Sequence, residues 1–182
     1  MLASAEAQTI LRAAELVCPA DAVSRAVRRV ATEISTTLAA ANPLVLSVMS
    51  GAVVFTGQLL PLLEFPLDVD YIHLTRYGDA TVGGGIEWKA FPAAKIAGRV
   101  VLIVDDILDE GHTLAEIRRR VLASGASKCY AAVFADKDIG KQKSVAADFV
   151  GVTLPNRYVF GFGMDVKGAW RNLPAVYAMK EA

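Results

Sequence analysis

The chain of 182 residues has no excess of either charge: Lys+Arg and Asp+Glu both number 19. That weighs against a general nucleic-acid binder, which carries a basic face, although a local basic pocket is still allowed. The two cysteines, Cys18 and Cys129, stand alone. Neither belongs to a CxxC or a Cys/His cluster, so a zinc site is not expected and both thiols are read as reduced and buried. No apolar run reaches the length of a membrane span. The start, Met1-Leu2-Ala3-Ser4-Ala5-Glu6, lacks the basic and apolar regions of a signal peptide, so the expected compartment is the cytoplasm and no membrane partner is expected. Neither a GxGxxG fingerprint after the early strands nor a GxxxxGK[ST] loop occurs, which removes the common dinucleotide and nucleoside-triphosphate motifs. Repeats and low-complexity tracts are also missing.

What is present is an apolar chain, 54% hydrophobic and 21% charged, long enough for a full core in one domain. Residues 4–17 read as a short helix or a helix plus strand. Val23, Val27, Val30, Ile34 and Leu38 make one helical stripe from Asp21 onward, which Asn42-Pro43 stops. Strands are expected at 44–49, 68–74, 100–104, 130–134, 149–152 and 157–162. Helices are expected at 52–63, ending near Pro61, and at 114–123. This alternation predicts an α/β fold with a mainly parallel sheet. The stretch 76–88, with Gly78, Gly83, Gly84 and Gly85, reads as a mobile loop or hairpin tip of the kind that forms lids.

The most informative segment is Val100-Val101-Leu102-Ile103-Val104-Asp105-Asp106-Ile107-Leu108-Asp109-Glu110-Gly111-His112-Thr113-Leu114. Five apolar residues end in two acids, and a loop with a third acid, Gly111 and Thr113 then opens a helix. Ligands of open α/β sheets bind at such strand ends. Free N–H groups at the helix start favour an anion, most naturally a phosphate. Carboxylates beside an anion pocket suit hydroxyls, a metal ion or a proton to be removed, and a sugar phosphate fits that set. The plain alternative is a solvated strand end with Asp109 capping the helix, but two acids, Gly111 and Thr113 exceed what capping needs.

This segment resembles the ribose-phosphate signature of the type I phosphoribosyltransferases, and the chain resembles more closely the hypoxanthine-guanine branch. The likeness runs from about Leu44 to Leu173 and includes Leu154-Pro155-Asn156-Arg157-Tyr158-Val159-Phe160-Gly161-Phe162-Gly163-Met164-Asp165 and Arg171-Asn172-Leu173. It implies a type I phosphoribosyltransferase fold over 1–182: a mainly parallel sheet flanked by helices, a hood built from the N- and C-terminal segments, and 75–90 as a mobile active-site loop. The implied reaction moves the 5-phosphoribosyl group of phosphoribosyl pyrophosphate to N9 of hypoxanthine or guanine, giving IMP or GMP and pyrophosphate.

By this resemblance Asp105 and Asp106 would bind the ribose hydroxyls. Asp109, Glu110, Gly111, His112 and Thr113 would wrap the 5-phosphate with N–H groups and the Thr113 hydroxyl, the Glu110 side chain pointing away. Asp109 is the implied general base near N7. Lys137 would donate to the 6-oxo group, against a plain reading as a surface lysine between Asp136 and Asp138. Tyr158 would stack on the purine, and the Val159 carbonyl would meet its edge; alone, Tyr158 reads as a core aromatic. Asp165 would hold Mg²⁺ and Arg171 would contact pyrophosphate. Ser50 and Gly51 occupy the pyrophosphate loop, where the family often has a basic residue before the Gly and a cis peptide. Arg76-Tyr77 stands where the family usually has Ser-Tyr, and Arg76 would supply the charge that Ser50 lacks. Asp105 replaces a more usual Glu. The resemblance implies a homodimer or homotetramer.

Two other readings compete. A regulatory relative would keep the sugar-phosphate pocket and bind nucleotide and nucleic acid without catalysis, but should show a basic face and lose the purine-site residues. A receiver-type phosphoacceptor would carry its acid pair near the amino end, not past mid-chain.

Overall fold

The computed structural model describes residues 2–76, 86–92 and 96–180, excepting the side chain of Arg76. Nine strands are described: β1 (Glu15–Cys18), β2 (Leu44–Met49), β3 (Asp68–Arg76), β4 (Ile86–Ala90), β5 (Val100–Leu108), β6 (Lys128–Asp138), β7 (Phe149–Pro155), β8 (Val159–Phe160) and β9 (Val176–Ala178). The helices are α1 (Ser4–Ala13), α2 (Ala20–Leu38), α3 (Val53–Leu59) and α4 (His112–Ala123).

Six strands form the main sheet, in the order β4-β3-β2-β5-β6-β7. All its pairings are parallel except β3 with β4. β5 lies at its centre and is covered on both faces, which is why its first half reads as an unbroken apolar run. Alternate residues serve opposite layers. Leu102 and Val104 pack with Val27, Val30, Ile34 and Leu38 of α2 and with Phe55 of α3. Val101 and Ile103 pack with Leu114, Ile117 and Val121 of α4. The α2 stripe is buried at every expected position. Each such side chain contributes about 1.5–3 kcal/mol of burial free energy.

A second sheet, β1-β9-β8, draws on both ends of the chain. Phe160 stacks on Tyr177 across it, and Arg157 pairs with Glu15 at 2.7 Å. Trp170 Nε1 donates to the Ala7 carbonyl at 2.8 Å, tying this end to α1. Val159, Val176 and Ala178 join the α2 side of the core, so the two sheets share it.

Several expected boundaries move. β5 continues through both acids to Leu108, because Asp105, Ile107 and Leu108 still pair with β6. β6 reaches Asp138, which puts Lys137 inside a strand rather than past one. The helix expected at 52–63 ends at Leu59 and passes into a 3-10 turn over Leu60–Leu62 that contains Pro61. The strand expected at 157–162 shortens to Val159–Phe160, since Gly161 and Phe162 turn back at positive φ. Part of the expected loop 76–88 is strand: β3 and β4 form a hairpin stem, while Tyr77 and the rest of 77–85 lie outside the described residues. Cys18 is buried as expected, whereas Cys129 is only half-buried, and burial pushes its thiol up to about 11. Among the described residues no helix is long and apolar enough to cross a membrane.

Candidate active site

At the carboxyl ends of β2 and β5 lies a cleft of about 330 Å³. Its walls include Ser50, Gly51, Asp105, Asp106, Asp109, Glu110, Gly111, Thr113 and Arg171. Sheet topology places it there: adjacent parallel strands both end at this edge, and the chain turns away in opposite directions to α3 and α4. The Met49–Ser50 peptide is cis.

The helix start differs from the capped form. The residue before α4 is Gly111, at φ +88°, with no side-chain cap. Asp109 is therefore not the cap; its carboxylate accepts from Lys137 Nζ at 2.9 Å. Glu110 points to Lys141 at 2.9 Å, with His112 Nε2 3.6 Å from its other oxygen. Gly111, Thr113 and Leu114 at the start of α4 line the cleft, and a helix start is the arrangement that holds a phosphate.

Asp105 is buried and Asp106 half-buried. Desolvation drives the Asp105 carboxyl well above the ordinary range, and the neighbouring Asp106 adds to it. Desolvation also raises Asp106, opposed first by the Asp105 side chain and then by the Ile107 N–H and Arg171. Asp105 accepts from the Asp106 N–H and Asp106 from the Ile107 N–H, both at 2.9 Å. Gly51 is required beside them, because a Cβ there would overlap the Asp106 carboxylate. Gly163 packs in the same way on the Gly51 carbonyl, at φ +99°. These two glycines let the segment 161–165 lie against the cleft. Gly163 has no role assigned from sequence; its spacing to Gly161 is the signal that marks it.

Arg171 connects the second sheet to the cleft. It donates to the Gly163 carbonyl at 2.6 Å and pairs with Asp165 at 2.5 Å. The other Asp165 oxygen accepts the Gly168 N–H at 2.6 Å. Tyr158 is about half exposed, and its hydroxyl donates to the Asp165 carbonyl at 3.2 Å. Burial raises the Tyr158 phenol, helped by Asp165. Val159 is buried in β8. Tyr158, Val159 and Asp165 thus stand beside the cleft rather than in its walls, joined to it through Arg171. Lys137 and Asp109 line an adjoining hollow with Glu110, Lys141 and Asn156. Among the described residues no group of three His, Cys, Asp or Glu forms a metal cage.

Residues 19–167 match the family model of the phosphoribosyl transferase domain. The hypoxanthine-guanine-xanthine phosphoribosyltransferase of Tritrichomonas foetus is 32% identical over 163 residues, 89% of each chain. The hypoxanthine-guanine phosphoribosyltransferase of Streptococcus pneumoniae (strain ATCC BAA-255 / R6) is 30% identical over 162 residues, 88% of this chain and 90% of that one. A solved hypoxanthine-guanine-xanthine phosphoribosyltransferase superposes with a TM-score of 0.77 at 31% identity, covering 92% of this chain and 94% of that one.

Proposed function

The chain belongs to the phosphoribosyl transferase domain family, and from that premise we propose that it serves purine salvage, moving the 5-phosphoribosyl group of phosphoribosyl pyrophosphate to N9 of a 6-oxopurine. The products are IMP or GMP and pyrophosphate. One observation carries the reading: the Asp105–Asp106 pair, a helix start without a side-chain cap and Arg171 share one cleft, while the Asp109–Lys137 pair stands next to it. The first set suits a ribose, its 5-phosphate and a pyrophosphate. The second offers one acceptor and one donor, the complement of the N7–H and 6-oxo edge of hypoxanthine or guanine.

In this assignment Asp105 and Asp106 bind the ribose hydroxyls. The N–H groups of Gly111, His112 and Thr113, with the Thr113 hydroxyl, hold the 5-phosphate. Lys141 balances Glu110, so that carboxylate does not repel the phosphate. Ser50, Gly51 and Arg171 meet the pyrophosphate, and Arg76 and Tyr77 are assigned to the same substrate from the sequence alone. Tyr158 packs on the purine and the Val159 carbonyl meets its edge. The second sheet acts as the hood.

The N9 lone pair forms the bond to the anomeric carbon as the bond from that carbon to pyrophosphate breaks. The electron pair leaves with pyrophosphate, and the purine's N7 proton passes to Asp109. Positive charge developing on the sugar faces the Asp105–Asp106 pair. Lys137 donates to the 6-oxo group. Adenine would place an amino donor against that ammonium, which disfavours it.

Mg²⁺ fits the residues present. It is typically held by one or two carboxylates plus substrate phosphates and water, not a protein cage, and Asp165 is the carboxylate assigned to it. Both its oxygens are engaged, so a cation there competes with Arg171. When bound, Mg²⁺ supplies neutralising charge for the leaving pyrophosphate.

The test measures nucleotide formation with phosphoribosyl pyrophosphate, Mg²⁺ and guanine, hypoxanthine, xanthine or adenine. Product from 6-oxopurines, little from adenine and a kcat loss on the order of 10²–10⁴-fold in Asp109→Asn are expected. No nucleotide from any purine would overturn the reading.

A further inference from the structure

Lys143 belongs to none of the motifs above. It lies between β6 and β7, outside any strand or helix, yet its side chain is only 13% exposed. Nζ donates to the Leu108 carbonyl at 2.7 Å and pairs with the Asp136 carboxylate. Lys141, two residues earlier, behaves as a surface lysine, 64% exposed. Withdrawing an ammonium from water is costly unless its partners repay it. Lys143 has two such partners, and their positions are informative.

Leu108 and Asp136 are opposite each other in the β5–β6 pairing. Each comes one residue before a proposed purine-contacting group, Asp109 and Lys137. Those two groups are themselves joined at 2.9 Å. Lys143 thus ties together the last turns of the two strands that deliver the proton acceptor and the 6-oxo donor. The same stretch also backs the phosphate loop: Ser144 Oγ donates to the Glu110 carbonyl at 3.4 Å, and a Cβ on Gly111 would crowd Ser144 and Val145.

We propose that Lys143 is a positioning residue that sets the separation and direction of Asp109 and Lys137, and through them the reading of the purine 6-position. This rests on the function proposed above. Lys143 touches no reacting atom. It acts by holding the Leu108 carbonyl of β5 to the Asp136 side chain of β6, and displacements below one ångström at such catalytic groups already cost rate and affinity.

The experiment compares steady-state kinetics of wild type, Lys143→Met, Lys143→Arg, Asp136→Asn and Lys137→Met, with the double variant of Lys143 and Lys137. In Lys143→Met the KM for hypoxanthine should rise on the order of tenfold, while that for phosphoribosyl pyrophosphate stays within about twofold. Lys143→Arg should restore most of the loss, since a guanidinium can donate to both oxygens. Asp136→Asn, which leaves Lys143 on the Leu108 carbonyl, should reproduce a smaller rise. In the Lys137→Met background the Lys143 substitution should add little, the non-additivity expected of residues acting as a unit. Equal changes in both KM values, additivity with Lys137→Met, or a fall in Tm with unchanged KM would overturn the proposal. A wild-type enzyme that makes no nucleotide would instead overturn the function itself. An active wild type matched by Lys143→Met would overturn the positioning role alone.

Discussion

Asp105 stands at the carboxyl edge of the sheet with 8% of its surface exposed. Its carboxyl pKa is raised in the folded chain, chiefly by desolvation. The folded state therefore holds the proton to higher pH than the unfolded chain does. The stability this acid provides is complete below the unfolded value of 3.8 and is lost as pH rises through the raised one. At neutral pH the residue is a stability cost retained for binding. Asp105→Asn keeps the shape and the acceptor for the Asp106 N–H but cannot ionise. Its Tm at pH 7.5 should exceed wild type by about 2–4 °C, the shift that roughly 1 kcal/mol produces at this chain length. The advantage should vanish as pH falls toward the carboxylate range. The KM for phosphoribosyl pyrophosphate should rise roughly 10- to 100-fold, as for loss of a hydrogen bond to a charged group. Thermal unfolding across pH, together with substrate titration, checks both; an advantage over wild type no larger at pH 7.5 than at pH 4 would contradict the burial argument. The acids and the glycine-threonine loop were legible in sequence because their chemistry is local. Lys143 was not, because its partners lie 35 and 7 residues away and only the strand pairing brings them together.

Among the elements, α2 was the most readable, since its apolar spacing is a helical period and every residue of the stripe is buried. Ile34, fully buried, belongs to the same core cluster as Leu102 and Phe55. Ile34→Ala should cost about 2–5 kcal/mol in urea unfolding, with m unchanged. A loss below 1 kcal/mol would mean that the α2 layer closes over the cavity. Strand ends were less readable. β5 and β6 run past their apolar segments because ladder hydrogen bonds come from the backbone, and pairing continues wherever a neighbour continues, whatever the side-chain charge. The second sheet was the hardest to read. β8 has two residues and β9 three, too short to show a period, and their pairing joins chain segments near residues 16, 160 and 177. The shift of α4 two residues earlier has a local cause: Gly111 at positive φ begins the helix without a side-chain cap.

On the scale of the whole molecule, the cleft is shared by parts that meet nowhere else in sequence. The β2 and β5 ends come from the main sheet, and Arg171 comes from the segment that returns to the second. Arg171 satisfies itself on Asp165 and the Gly163 carbonyl, while the acid pair keeps a desolvated charge beside it. A ligand carrying both hydroxyls and phosphates gives these groups partners that the chain alone does not provide. It should therefore stabilise the molecule as a unit. At a ligand concentration about 100 times Kd the linkage gain is about 2.7 kcal/mol, which at this size raises Tm by roughly 5–10 °C. Phosphoribosyl pyrophosphate with Mg²⁺ should give that shift in a single transition. Chelating the cation should remove most of it, because Arg171, already shared with Asp165, is then the one assigned cation left for the pyrophosphate charge among the described residues of the cleft. Asp106→Asn should reduce the shift further while leaving the unliganded Tm no lower. Two transitions, one moving with ligand and one fixed, would mean that the sheets unfold separately and that the shared core around Val159, Val176 and Ala178 does not couple them.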